Sequence, residues 1–171
     1  MKTHSPAREF PSDLSLLRIL LFDKCRLSIS AFQSETESLE YAACFFKLNQ
    51  KHIRFRSSKI TPKKVGQFVT VWKRNQKGII QPFTKSDALD YLIICSRSEM
   101  NFGVFIFPKS ILNEKNIITG KNEGKRGIRV YPSWDRCTNK EAKKTQQWQT
   151  KYFLACDGEA VDIGFAKSLF A

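Results

Sequence analysis

LDYLIICS, which runs from Leu89 to Ser96, and FGVFIF, from Phe102 to Phe107, are nearly continuous apolar segments. Both are short and rich in β-branched and aromatic residues, which is typical of strands rather than helices. Because neither face of such a strand is polar, the two segments predict central strands of a sheet that is covered on both sides. Pro108 ends the second segment.

Three other segments predict further strands: HIRFRSSKI (52–60), VGQFVTVW (65–72) and GIRVY (127–131). In the first of them, Ile53 and Phe55 alternate with Arg54 and Arg56, as on a strand that buries only one face. The two arginines are therefore expected on the open face. TPKK separates the first segment from the second, because Pro62 cannot donate to a ladder of backbone hydrogen bonds.

Helical periodicity predicts three helices: SDLSLLRILLF (12–22), SETESLEYAACFFKL (34–48) and TNKEAKKTQQWQTKYFL (138–154). Ser12 is the expected N-cap of the first helix, and Ser34 with Glu37 forms a capping box for the second. Thr138 with Glu141 repeats that pattern in the third. The order of elements predicts an α/β (α+β) fold: a single domain over residues 1–171 with a mixed sheet flanked by helices.

The chain is strongly basic, with 29 Lys and Arg against 16 Asp and Glu and a net charge of +13. Residues 51–86 hold ten basic and no acidic residues, and residues 115–151 hold ten basic and three acidic ones. A solvated basic face is the simpler explanation of such runs, but this concentration favours a polyanion partner.

The expected compartment is the cytoplasm. The five cysteines form no CxxC motif, which indicates free thiols in a reducing environment. The longest apolar stretch near the N-terminus, residues 14–22, is too short to span a bilayer, so no membrane association is expected.

The predicted function is nucleic-acid binding through backbone phosphates, with DNA favoured over RNA and without catalysis. Convergent Lys and Arg side chains neutralise phosphates, and interleaved aromatic rings can stack on bases. Trp134 follows a Pro-Ser turn, where an exposed ring is expected. The candidate binding residues are Arg54, Arg56, Lys59, Lys63, Lys64, Lys73, Arg74, Lys125, Arg126, Arg129, Trp134, Lys143 and Lys144.

A metal-dependent nuclease is the alternative from the enzyme class. Such sites combine carboxylates that bind a divalent cation with a lysine that orients water, and Glu40, Asp90 and Lys109 occur in the required order. However, Phe107 stands two residues before Lys109, where a second carboxylate is needed. We therefore expect no metal and no cofactor, and Mg²⁺ only if the nuclease alternative holds.

The basic segments suggest two further hypotheses. The glycines around GKNEGKRG (120–127) do not fit a nucleotide-binding loop, because only three residues separate Gly120 from Gly124 and Arg126 follows Lys125. An interaction module for an acidic protein partner would also explain the charge, and this alternative stays open. The oligomeric state is not predicted.

An ordered set of blocks resembles the MepB-like family of bacterial proteins: EYAACFF, FRSSKITPKKVGQFVTVWKR, PFTKSDALDYLIIC, FGVFIFPKSIL, GKRGIRVYPSW and KEAKKTQQWQTKYF. The resemblance extends from about Glu40 to Phe153. It implies a fold similar to that of restriction endonucleases and a role in nucleic-acid binding. The missing carboxylate at Phe107 then implies a binding protein rather than a damaged enzyme.

Overall fold

The two apolar segments lie in the middle of a six-stranded mixed sheet, as predicted. In the computed structural model, which describes residues 9–157 and 161–171, they form the adjacent antiparallel strands β8 (Tyr91–Arg97) and β9 (Phe102–Pro108). All residues of both strands are buried except Arg97 and Pro108, so both faces of the sheet are covered.

The remaining strands are β1 (Ile29–Ser34), β2 (Cys44–Leu48), β3 (Lys51–Ser57), β4 (Lys59–Thr61), β5 (Lys64–Thr70), β6 (Trp72–Arg74), β7 (Ile80–Pro82), β10 (Gly127–Val130) and β11 (Phe153–Ala155). The α-helices are α1 (Ser12–Leu17), α2 (Lys109–Glu114), α3 (Lys140–Gln149) and α4 (Ile163–Leu169). A π-helical turn at Arg18–Phe22 and 3-10 turns at Leu39–Tyr41 and Thr150–Tyr152 complete the elements of the described ranges.

The large sheet has the strand order β1-β2-β3-β8-β9-β11. Its neighbours are antiparallel except for β3 and β8, which are parallel. A parallel pair needs a long crossover connection, and here the crossover contains β4 to β7. Strands β10, β5 and β4 form a second sheet of three strands, and β6 pairs with β7.

Two hydrophobic cores lie on opposite sides of the large sheet. On one side, Ile53 and Phe55 of β3 pack with Leu14 and Leu17 of α1 and with Ala166 of α4. On the other side, the core contains four residues of β8 and β9, namely Leu92, Ile94, Phe105 and Phe107, together with Val69 of β5 and Ile128 and Val130 of β10. The molecule therefore has three layers: helices, the large sheet, and the small sheets with α2 and α3.

The prediction of a helix over residues 34–48 is wrong. The segment forms a 3-10 turn and the strand β2, whose Cys44, Phe46 and Leu48 are buried at alternate positions. Ser38 and Ala42 have φ values of 56° and 51°, in the left-handed region that an α-helix does not use. The apolar spacing fits both periods, and pairing with β1 and β3 selects the strand.

Two predicted helix caps are also wrong. Pro11 precedes the first helical residue Ser12, and no side chain caps this helix. In α3, Asn139 rather than Thr138 is the N-cap, and its Oδ1 accepts a hydrogen bond of 2.8 Å from the backbone N–H of Ala142. This last predicted helix ends at Gln149, before the strand β11.

All five cysteines are free and buried. Burial raises the pKa of the Cys44 and Cys156 thiols to about 12, so these thiols are protonated at neutral pH. None of the helices within residues 9–157 and 161–171 is long and apolar enough to cross a membrane.

Candidate nucleic-acid interface

Arg56, predicted to bind phosphate on an open strand face, is completely buried. Its Nη2 lies 2.8 Å from Oε2 of Glu35 and its Nη1 lies 3.1 Å from Oε1. Its Nε donates to the carbonyl oxygen of Thr70 at 3.2 Å. Burial lowers the pKa of Arg56, and the Glu35 carboxylate opposes that shift. The prediction is corrected: Arg56 is a structural residue, because the crossover layer covers its face of the sheet.

Arg54 belongs to the same buried arrangement. Its Nη1 donates to Oε1 of Glu35 at 3.0 Å, and 22% of its side chain is exposed. The guanidinium carbon lies 4.5 Å from the ring centroid of Phe45 and 5.1 Å from that of Phe83. The expectation that this arginine stands on an open face is also wrong, since a carboxylate and two rings surround it.

Four other predicted cations are paired with carboxylates. Lys73 Nζ lies 2.5 Å from Asp87 Oδ1, and Arg74 Nε lies 2.5 Å from Glu37 Oε1. The two longer pairs, at 3.5 Å and 3.2 Å, join Lys59 with Glu40 and Arg126 with Glu123. Acidic residues of other segments therefore offset much of the charge that the sequence concentrates in residues 51–86.

The remaining predicted cations have no ion pair with any residue in the described part of the chain: Lys63, Lys64, Lys125, Arg129, Lys143 and Lys144. Four of them line two cavities that meet at Arg129, between the β4–β5 turn, β10 and α3. The first cavity, of about 440 Å³, includes Lys63, Lys64, Arg129, Tyr131 and Glu141. The second, of about 310 Å³, includes Lys115, Lys125, Arg129, Tyr131 and Trp148. We call the two cavities together the α3 groove.

Arg129 is held in place at the junction of the two cavities. Its strand neighbours Ile128 and Val130 are buried on the core side, so Arg129 faces the other way. Its Nη1 donates to Thr61 Oγ1 at 3.0 Å, to the carbonyl oxygen of Gly66 at 3.2 Å and to that of Val65 at 3.3 Å. Its Nε and Nη2 make no hydrogen bond to the described residues, so these two nitrogen atoms, with three N–H donors, are left for a ligand.

Gln149 joins the helix wall of the groove to the strand wall. It is only 1% exposed, and its Nε2 donates to the carbonyl oxygen of Arg129 at 3.0 Å. Its Oε1 accepts from the backbone N–H of Tyr131 at 2.8 Å. One side-chain amide thus pairs with a carbonyl oxygen and an N–H group at the edge of β10 that faces α3.

The aromatic residues are distributed differently from the prediction. Trp134, expected to be exposed, is half-buried, and its ring meets Phe153 edge-on at 5.5 Å. Trp148 is also half-buried, with Phe107 at 5.5 Å on the core side. The Nζ of Lys115 lies 5.4 Å from the Trp148 ring centroid.

Four residues in or beside the groove were not among the predicted binding residues: Lys115, Tyr131, Trp148 and Lys151. Lys151 lines a cavity of about 280 Å³ that adjoins the α3 groove and also contains Lys115, Lys144 and Trp148. The available signal was a helical spacing, since Lys144 lies four residues before Trp148 and Lys151 three residues after it. It indicated a helix with cations around an aromatic ring, but not which side of the ring is open.

The three nuclease candidates do not form one cluster. Glu40 lies in the 3-10 turn rather than on a helix, with 66% of its side chain exposed and Lys59 beside it. Asp90 Oδ2 accepts from the backbone N–H of His52 at 2.7 Å, and its carbonyl oxygen accepts from the N–H of Lys109 at 2.9 Å. No group of three or more His, Cys, Asp and Glu side chains that could hold a metal occurs in the part of the chain that the structure describes.

Comparisons with a family model and with solved structures show which family the chain belongs to. The family model described as MepB-like matches residues 35–155. A solved structure titled "Crystal Structure of MepB" is 34% identical with a TM-score of 0.75, and the match covers 87% of this chain and 99% of that chain. No curated protein matches significantly. The family model confirms the resemblance that the sequence blocks indicated, and the chain belongs to the MepB-like family.

Proposed function

We propose that this protein binds nucleic acid through backbone phosphates at the α3 groove and that it does so without catalysis. One observation carries the proposal: of the six predicted cations that have no carboxylate partner among the described residues, four line this groove, whereas the other six predicted cations are paired with carboxylates. DNA is the expected form, and the cytoplasm the expected compartment.

The electrostatics of the groove favour a polyanion over a single small anion. Lys63 and Lys64 lie on one side of Arg129, and Lys125 lies on the other. Like charges held close together repel one another, and a ligand with several negative charges relieves that repulsion at each of them. Phosphates spaced along a strand match cations spaced along a groove, and counterions released from the strand add to the affinity.

Fluorescence anisotropy with labelled DNA and RNA across a salt series tests the proposal. If four to six cations neutralise phosphates, the slope of log K against log salt should be about −3 to −5. The double variant Lys63→Glu with Lys64→Glu should weaken binding at least about tenfold and flatten the slope. A slope near zero, or unchanged binding by the double variant, would contradict the proposal.

A matched control separates the site from the overall charge. Lys24 and Lys77 are exposed, make no ion pair to the described residues and line neither cavity of the groove. Lys24→Glu with Lys77→Glu therefore gives the same change in net charge away from the groove. We expect this control to reduce binding by no more than about threefold through long-range electrostatics.

The same experiment separates the alternatives. Cleavage that requires Mg²⁺ and is abolished by Asp90→Ala would favour a nuclease and the resemblance to restriction endonucleases. Binding of an acidic peptide, with no binding of nucleic acid at low salt, would favour the module for an acidic protein partner.

A further inference from the structure

The α3 groove combines an anchored arginine with an aromatic ring beside it. Arg129 offers its unused Nε and Nη2 at the junction of the two cavities, and Trp148 lines the cavity on the α3 side. Lys115 and Lys125 line the same cavity. This arrangement places a side chain that can bind phosphate, further cations and an apolar surface within one small space.

Trp148 is suited to be a rigid platform. Phe107, which is completely buried, lies 5.5 Å away and holds the ring against the core. Trp148 also lines two cavities, of about 310 Å³ and 280 Å³, and the Nζ of Lys115 lies 5.4 Å from its ring centroid. A ring that is fixed by packing loses little conformational entropy when a second ring stacks on it.

The size of the cavities favours one strand over two. Cavities of roughly 300–1,000 Å³ are of the size that takes a small organic ligand, and a nucleotide belongs to that class. In a duplex the faces of the bases are covered by their neighbours in the stack, so a ring inside a groove cannot reach them. In a single strand, phosphates can follow a row of cations while bases stack on aromatic side chains.

We infer that the ligand of the α3 groove is single-stranded nucleic acid, with a phosphate bound by Arg129 and the adjoining base stacked on Trp148. This inference rests on the proposed function, since it names the form of nucleic acid that the same groove takes. In this arrangement Arg129 contacts the nucleic-acid backbone, which carries no sequence information, and Trp148 contacts the base.

The test compares three probes on the wild-type protein: a labelled oligothymidine, a duplex of equal length, and a strand of equal length whose sugars carry no bases. The oligothymidine should bind at least about fivefold more tightly than the abasic strand, because stacking on one ring is lost. It should also bind more tightly than the duplex at every salt concentration.

Variants then assign the base contact to Trp148. Trp148→Ala should weaken oligothymidine binding at least about fivefold and leave abasic-strand binding and the salt slope unchanged. Arg129→Lys, which keeps the charge but loses the planar fork, should weaken both strands equally. Trp148→Phe keeps an aromatic platform and should retain most of the oligothymidine affinity if Trp148→Ala acts through stacking.

Intrinsic fluorescence tests the same contact without removing the Trp148 side chain. Trp72→Phe with Trp134→Phe leaves Trp148 as the only tryptophan of the chain. Oligothymidine should quench this emission, and the abasic strand should not. Equal binding of duplex and single strand with no quenching would overturn this inference and leave phosphate binding standing. If no probe binds at low salt, the proposed function fails as well.

Discussion

At the residue scale, burial decides which charges are available to a ligand. The alternation in residues 52–60 correctly predicted that Arg54 and Arg56 lie opposite Ile53 and Phe55. It could not predict that a second layer covers that side, because the covering strand β5 and the partner Glu35 come from other parts of the chain. A local pattern gives the direction of a side chain but not what it meets there.

Arg56→Met should lower the free energy of unfolding by about 3 kcal/mol or more, since it leaves Glu35 with a buried and only partly compensated charge. Urea denaturation followed by circular dichroism measures this. Where the variant is folded, its affinity for nucleic acid should equal that of the wild type.

Arg74→Met is the matched control, because the Arg74–Glu37 pair is 44% and 32% exposed at its two side chains. Exposed pairs contribute little, and we expect a loss below about 1 kcal/mol. Equal losses in the two variants would contradict the structural role assigned to Arg56.

Asp87 gives the protein a pH-dependent contribution to stability. Burial alone would raise the pKa of Asp87, but hydrogen bonds from Lys73 and from Thr84 outweigh that effect and hold it below the usual value. Because the folded-state pKa is lower than that of the unfolded chain, ionised Asp87 stabilises the fold above pH ~4. That contribution is lost as the pH falls through the folded-state value.

Asp87→Asn should therefore destabilise the protein by about 1 kcal/mol at pH 7, and the difference should shrink towards zero in acid. Urea denaturation of both proteins at several pH values measures it. Asp23→Asn changes an exposed carboxylate that has no ion pair among the described residues, so it should change stability little at any pH. A difference for Asp87→Asn that stays constant with pH would contradict the expectation.

At the element scale, the apolar pattern identified the central strands but not every neighbour. Segments 89–96 and 102–107 are nearly continuously apolar, short, and rich in β-branched and aromatic residues, and both form strands. Segment 34–48 fits two periods, and Leu39, which the helical interpretation needs inside, is 69% exposed. Pairing between distant strands decided the outcome, and a local window does not contain that information.

Gln149→Leu tests how α3 is attached to β10. The substitution leaves the carbonyl oxygen of Arg129 and the N–H of Tyr131 without their partner, which should cost about 1–3 kcal/mol of stability. Thermal denaturation measures the loss. Gln147 on the same helix is exposed, so Gln147→Leu should cost less than about 0.5 kcal/mol.

At the scale of the whole molecule, the sequence predicted the fold class, the family and a basic surface. It placed that surface partly on the wrong residues, because ion pairs form across distant segments. Glu35 and Glu37 come from residues 1–50, which hold six basic and six acidic residues, and they compensate Arg54, Arg56 and Arg74. The cations that were left, such as Lys63 and Arg129, are separated in sequence and meet only through the pairing of β5 with β10.

Glu141→Gln tests the groove with a substitution that should increase its affinity for nucleic acid. Glu141 is exposed and is the only carboxylate among the described residues that line the two cavities. Removing its charge should strengthen nucleic-acid binding about two- to fivefold at low salt, and the gain should fade as salt screens it. Glu99→Gln in the β8–β9 turn makes the same change in charge outside the groove, and it should have a smaller effect in the anisotropy titration.

The crossover between β3 and β8 decides which strands a bound ligand should protect from local unfolding. The Lys63–Lys64 wall belongs to the crossover, the Arg129 wall belongs to β10, and the two meet in the small sheet rather than in the large one. A ligand that contacts both walls binds only while β5 and β10 are paired, so it lowers the fraction of molecules in which this sheet is locally unfolded. Amide hydrogens of β5 and β10 should therefore exchange with deuterium more slowly when nucleic acid is bound, while those of β8 and β9 should keep their rates.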